Sequence, residues 1–309
     1  MIKHVRKREI TEKFMKQNNK QMATVFAILA AALYAINVPL SKLLLEHVGA
    51  TMMAALLYLG AGLGLLVYRL TKKAFGTGEK QERLTEKELP YTVAMVVLDI
   101  LAPIFLMLGI ARTNSANVSL LNNFEIVATS LIALLIFKEK ISKLLWTAIA
   151  LVVAASVILS FEGAGAFVFN KGSMFVLAAS ICWGMENNCT NKISHKSAVE
   201  IVVIKGCFSG LGSLAIALVL GEKIPELKWL VLVLLLGFVA YGLSINFYIR
   251  AQSNLGAAKT SAFYSVAPFL GVAFSMILLR ERPGVQFYIG LFIMAVSTVL
   301  MVKDTLKDK

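Results

Sequence analysis

Gly60-Ala61-Gly62-Leu63-Gly64 and Phe208-Ser209-Gly210-Leu211-Gly212 read almost alike at an offset of 148 residues. Each lies inside an apolar span, the second of its half of the chain, so the sequence reads as a duplication. The likeness extends beyond the glycines. Tyr34-Ala35 in the first span matches Trp183-Gly184 in the sixth, and Ala111 and Asn114 at the end of the third match Ala251 and Asn254 at the end of the eighth. Lys138-Glu139-Lys140 after the fourth span matches Arg280-Glu281-Arg282 after the ninth. The offset drifts from 149 to 140 and 142, which the longer 71–89 loop of the first half accommodates. The spacings Gly60-x-x-x-Gly64 and Gly206-x-x-x-Gly210 let membrane helices approach closely, so these glycines read as scaffold.

Apolar residues make up 58% of the 309, and the mean hydropathy is +0.75, well above the balance of a soluble domain. They fall in ten blocks: 22–44, 51–70, 90–111, 115–137, 143–160, 172–190, 199–220, 228–250, 256–279 and 284–302. Each is about twenty residues, enough to cross a hydrocarbon core of roughly 30 Å. Lipid offers backbone groups no hydrogen-bond partner, so the spans must be helices. The fold expected is an all-α integral membrane protein of ten transmembrane helices in two five-helix repeats, 22–160 and 172–303, behind a basic tail at 1–21. Five is odd, so the second repeat enters the membrane upside down. An inverted pair can expose one central site to either side in turn, which points to transport. The first span is too long for a cleaved signal peptide.

The net charge of +13 is not the footprint of a nucleic-acid binder, because its distribution follows the membrane. With the N-terminus inside, 23 of the 31 Lys and Arg residues fall on the inner segments and span ends and seven on the outer ones, with Lys205 alone deep within a span. That asymmetry is the positive-inside rule, and it places both termini in the cytoplasm of a plasma-membrane protein. Cys182, Cys189 and Cys207 lie within spans and read as packing residues.

The paired repeats, together with Tyr241-Gly242-Leu243-Ser244, Arg250-Ala251-Gln252, Leu255-Gly256-Ala257 and Ala267-Pro268-Phe269, resemble a ten-helix member of the drug/metabolite transporter superfamily, of the EamA type. The resemblance covers roughly residues 22–303. It implies the inverted-repeat fold and movement of a small solute; similar proteins carry amino acids and other metabolites, cationic drugs, nucleotide sugars or S-adenosylmethionine. One departure bears on the site. The prolines that such proteins often carry midway along spans four and nine are represented here only by Pro268, and span four has Glu125-Ile126 at the matching place.

An ionisable group deep in a bilayer costs on the order of 3 kcal/mol or more, so each one within a span is a functional candidate. At roughly 1.5 Å rise per residue, Asp99 lies about 13 Å into span three and Glu125 about 15 Å into span four, both near the midplane. Glu186 in span six and Lys205 in span seven reach the same depth, each about 10 Å from the cytoplasmic side. They read either as a buried ion pair tying the two spans together or as a substrate or proton site. Asp99 reads as a helix-packing acid or a second functional carboxylate. Glu125 follows Asn122-Asn123, and no basic residue lies at its depth; its ionised form is costly unless water, a cation or a substrate amine is present. A polar set surrounds these groups. Asn37 holds in span one the place of Glu186 in span six, while Asn187, Tyr241 and Tyr264 can hydrogen-bond a solute or a neighbouring helix, and Trp183 can stack on a ring or cation. His47 and His195 sit at span edges.

No G-x-x-x-x-G-K-[ST] loop occurs, so ATP hydrolysis is not expected. Three scattered histidines without H-E-x-x-H give no zinc site, and no cofactor is expected. The function expected is a secondary transporter, a monomer or homodimer in the lipid bilayer, moving a small-molecule substrate by alternating access, with proton coupling as an option. The alternatives are a flippase for lipid-linked substrates on the same fold, or a membrane enzyme using Asp99 and Glu125 as a carboxylate pair.

Overall fold

The computed structural model describes residues 21–75, 82–138, 142–162, 168–255, 260 and 263–307. The basic tail before Gln21, Glu139-Lys140 and Gly256-Ala257 lie outside the described residues. Among those described, eight helices are long and apolar enough to cross a membrane: α1 (Gln21–Leu44), α2 (Ala50–Ala74), α3 (Glu86–Arg112), α4 (Ser115–Ile136), α5 (Lys143–Ser160), α7 (Ala198–Val219), α8 (Leu227–Leu255) and α10 (Val285–Asp304), the last continuing to Lys307. Between α5 and α7 lies α6 (Lys171–Ile193), as long as the others but carrying Glu186, Asn187, Asn188 and Asn191 in its second half. Before α10 comes the shorter apolar helix α9 (Ala267–Leu278). A two-residue antiparallel hairpin, Phe161–Glu162 with Val168–Phe169, joins α5 to α6.

The helix starts follow local chemistry. Pro90 stands at the start of the α-helical part of α3, where its missing N–H is no loss. The side chains of Asn114, Asn170 and Ser197 accept backbone N–H groups from the first turns of α4, α6 and α7. The starts of α2 and α4 are also capped from the other half of the chain. The Glu222 carboxylate accepts the Thr51 and Met52 N–H groups at 3.1 and 2.6 Å, and the Glu281 carboxylate accepts those of Ser115 and Ala116, both at 2.9 Å. A carboxylate on the positive end of a helix is favourable both as an acceptor and as a charge.

Several membrane helices are interrupted where the sequence suggests continuous spans. Helix α1 breaks at Ile36 and resumes as Asn37–Leu44. In α4 the segments Ser115–Leu121 and Phe124–Phe137 flank a turn at Asn122-Asn123, and a turn at Ser265-Val266 precedes α9. Helix α8 loosens into π-helical turns over Gly237–Leu243. Broken backbone at membrane depth is tolerated only where protein or a water-filled cavity surrounds it; Asn122, Asn123 and Ser265 are all buried.

The two halves of the chain pack on each other. Helix α2 lies along α7, α3 and α4 along α6, α4 along α9, and α5 along α10. The α2–α7 crossing is so close that a Cβ added at Gly62 would lie 2.5 Å from the Cys207 nitrogen, and one at Gly206 would overlap the Gly62 backbone. Gly60 and Gly237 meet the backbones of Leu234 and Leu57 in the same way, drawing α8 onto α2. Gly206→Ala should therefore destabilise the folded protein by about 1–3 kcal/mol through overpacking, read as a lowered unfolding temperature in detergent. Gly284→Ala, with nothing within 4 Å of the new methyl, should leave it unchanged.

Candidate functional site

The glycine crossing fixes where the buried charges sit. Lys205 adjoins Gly206 on α7, and Tyr58 lies one turn before Gly62 on α2. The Lys205 ammonium lies 2.9 Å from a Glu186 carboxylate oxygen and 3.1 Å from one of Asp99. All three side chains are almost fully buried. The carboxylates are completed by hydroxyl donors: Tyr58 donates to Asp99 at 2.7 Å, and Thr190, one turn along α6, donates to Glu186. Trp183 Nε1 in turn donates to the Tyr58 oxygen at 3.4 Å. Glu186 and Lys205, read from the sequence as a two-member pair, are thus two parts of a three-member cluster. Asp99 enters from α3 because α3 packs against both α6 and α7.

Glu125 is arranged differently. It occupies the first turn of the second segment of α4, beside the Asn122-Asn123 break and at the positive end of that segment's dipole. Its Oε1 accepts a hydrogen bond from Asn187 Nδ2 at 2.6 Å. Among the described residues, no basic group lies within ion-pair distance of it.

Glu125, Glu186 and Lys205 line a cavity with about 530 Å³ of empty space, walled by Tyr34, Tyr58, Trp183, Asn187, Thr190, Tyr241, Ser244, Tyr248 and Tyr264. The rings interlock: Tyr34 meets Trp183, Tyr241 and Tyr264 at centroid separations of 6.4, 5.8 and 5.9 Å, and Tyr248 stands edge-on to Tyr264 at 5.0 Å. A second cavity of about 400 Å³ shares Tyr34, Glu125, Asn187, Tyr248 and Tyr264 and adds Asn122, Asn123 and Pro268. Glu125 thus stands between two adjoining cavities, inside a wall of aromatic faces.

Of the site residues read from the sequence, Glu125, Glu186, Lys205, Asn187, Trp183, Tyr241 and Tyr264 line the first cavity and Asn122 the second. Asn37 and Asp99 stand behind the wall. Asn37 donates to the Tyr241 hydroxyl at 3.1 Å and accepts from Ser41 at 3.0 Å, so it orients a cavity residue from outside. Tyr34, Tyr58 and Tyr248 were not singled out as site residues from the sequence. A tyrosine in an apolar span looks like packing, although Tyr34 aligns with Trp183 in the repeat and Tyr58 lies one turn from the glycine motif. Among the described residues, no group of three or more His, Cys, Asp or Glu side chains is placed to hold a metal ion.

The EamA-like transporter family matches this chain twice, over residues 21–161 and again over 170–303. The chain belongs to the EamA-like transporter family. A relative from Methanothermobacter thermautotrophicus, named only as an uncharacterized transporter, is 26% identical over 291 residues, covering 86% of this chain and 84% of its own. A solved crystal structure of a protein shares the fold with a TM-score of 0.68 at 15% identity, covering 93% of this chain and 98% of that one. This EamA-like chain is therefore a multi-pass membrane protein of a transporter family, with an aromatic, acidic cavity between its halves.

The three-member cluster has a distinctive mutational signature. Lys205→Met leaves two buried carboxylates without their cation and should cost about 3–5 kcal/mol. Adding Glu186→Gln to it should recover only part of that, because Asp99 stays uncompensated, whereas adding Asp99→Asn as well should recover most of it. Unfolding of the single, double and triple variants in detergent checks this. Strictly additive losses would contradict the coupling.

Proposed function

We propose that this protein is a secondary active transporter of ten transmembrane helices in two inverted five-helix repeats, moving a small ammonium-bearing solute by alternating access. The solute class is an amino acid or related metabolite, or a cationic drug, and exchange with a proton at Glu125 drives the movement.

Several observations support the architecture. The family matches the chain twice. Helices α2, α4 and α5 each pack against their own repeat counterparts, α7, α9 and α10, as a two-fold axis in the membrane plane demands. The non-glycine residues with positive φ among those described are Lys138 and Arg280, which begin the matched charged triplets. The breaks at Asn122-Asn123 and Ser265-Val266 also fall at matched places. With α6 and α9 counted as spans, inversion puts the first triplet inside and the second outside, and the charge bias sets both termini in the cytoplasm of a plasma-membrane protein.

The site supports the mechanism through one observation. Asp99 and Glu186 both lie against the Lys205 ammonium, while Glu125, half-buried, faces the cavity with an amide partner and aromatic walls. An ammonium group fits such a place, because a carboxylate and ring faces both attract a cation. A proton and an ammonium cannot both occupy one carboxylate, which is the minimum requirement for proton-coupled antiport. The Glu222 and Glu281 caps join the halves at the outer ends of α2 and α4, and the cavity walls run down α6 and α8 toward the other end. That arrangement is read as an inward-facing state, with those caps as the outer closure. An enzyme built on an Asp99–Glu125 pair is disfavoured, since Asp99 is held behind the cavity wall.

Protein in liposomes, after a thermal-stabilisation screen of amines and amino acids to find a ligand, should take that ligand up under an outward-directed proton gradient. Glu125→Gln should reduce gradient-driven uptake to background and flatten the pH dependence of ligand binding while leaving the unfolding temperature intact. Normal uptake with an unchanged pH profile in the variant would refute the mechanism.

A further inference from the structure

At the end of the bundle opposite the Glu222 and Glu281 caps lies a larger cavity, about 1230 Å³ of empty space, that the transport reading does not use. Five cations converge on it from segments far apart in the chain: Arg69, Lys72 and Lys73 from the last turns of α2, Arg83 from the segment before α3, and Arg250 from the last turns of α8. Glu200 is the one carboxylate among its described lining residues, and that carboxylate already accepts the Leu84 N–H at 3.4 Å.

The cations are partly preorganised. Arg250 Nε donates to Asn246 Oδ1 at 2.8 Å, and the Lys72 ammonium lies 5.1 Å over the Tyr68 ring. Among the described residues, no carboxylate lies within ion-pair distance of Arg69, Lys73 or Arg83. Holding Arg69, Lys73 and Arg83 around one hollow is unfavourable unless an anion shares it. The fork of an arginine matches a phosphate, and three of the five cations are arginines.

The remaining wall indicates what carries the phosphate. Leu66, Leu70 and Val199 line the same cavity, and Leu70 is 57% exposed on the outer surface of α2. The hollow therefore grades from cationic to apolar, and its apolar side continues onto the lipid-facing surface. We propose that it is a binding site for a phosphate-bearing anion, occupied by the headgroup of an anionic phospholipid whose chains run down α2. Such a site would tie α2 of one half to α7 and α8 of the other at the end that must open and close during transport.

Native mass spectrometry of protein purified in neutral detergent and titrated with phosphatidylglycerol or phosphatidylcholine tests this. Wild-type protein should retain phosphatidylglycerol in preference to phosphatidylcholine. Arg69→Gln/Lys72→Gln/Arg250→Gln should lower that retention about tenfold or more, and Arg83→Gln, on an exposed segment outside the bundle, should lower it less without affecting folding. Lys87→Gln/Lys143→Gln/Lys303→Gln removes the same charge from exposed positions at the same end and should leave retention unchanged. A parallel titration with inorganic phosphate separates the sources: retained lipid that millimolar phosphate does not displace supports the headgroup, and displacement or direct phosphate binding lost in the Arg69/Lys72/Arg250 variant supports a soluble anion in the same site. Equal losses in both triple variants, or no binding of either anion, would overturn the proposal.

Discussion

A single ammonium group between two carboxylates organises the interior of this molecule. Lys205 lies within 3.1 Å of both Asp99 and Glu186, three ionisable groups with almost no exposure. Each would be costly alone in a bilayer, and together they satisfy one another only if α3, α6 and α7 hold fixed positions. The cluster therefore demands the packing around it. It also divides the labour among the acids, because Lys205 serves two of the three near the cavity and leaves Glu125 to a neutral amide.

The glycine crossing makes that placement possible. Helices α2 and α7 touch backbone to backbone at Gly62 and Gly206, which sets Lys205 and Tyr58 on either side of the contact. Tyr58 links outward to Trp183 and inward to Asp99, so the scaffold and the cavity wall share a hydrogen-bond chain. At the far end of α2, and at the start of α4, carboxylates from the other half cap helix starts. These caps lie at helix ends, away from the crossing. This is the property a pair of halves rocking about a fixed centre requires.

Much of this was legible in the chain. Apolar blocks of twenty residues have no other outcome in lipid, and the glycine repeat marked the helices that cross. Equal depth in their spans brought Glu186 and Lys205 together on paper. Asp99 was harder: its depth was evident, but which neighbour it faced depends on how α3 rotates against α6 and α7, and a span apolar on every side gives no period from which to read that rotation. The helix breaks were hidden for a similar reason. Asn122-Asn123 carries no proline or glycine, and two asparagines shortly before a carboxylate read equally well as a polar patch on an unbroken helix. The aromatic wall was missed because tyrosine serves packing and binding equally well until the hollow beside it is seen.

The central claim is that Lys205 leaves Glu125 as the exchangeable carboxylate of the three. A membrane-soluble carbodiimide reacts with protonated carboxyl groups in apolar surroundings and not with carboxylates locked to an ammonium. Treating the purified protein over a series of pH values and mapping the adducts by peptide mass spectrometry reads this directly. The account predicts an adduct at Glu125, reduced by a bound amine and formed ahead of any at Asp99 or Glu186. Adducts at Asp99 or Glu186 while Glu125 stays unmodified would contradict it.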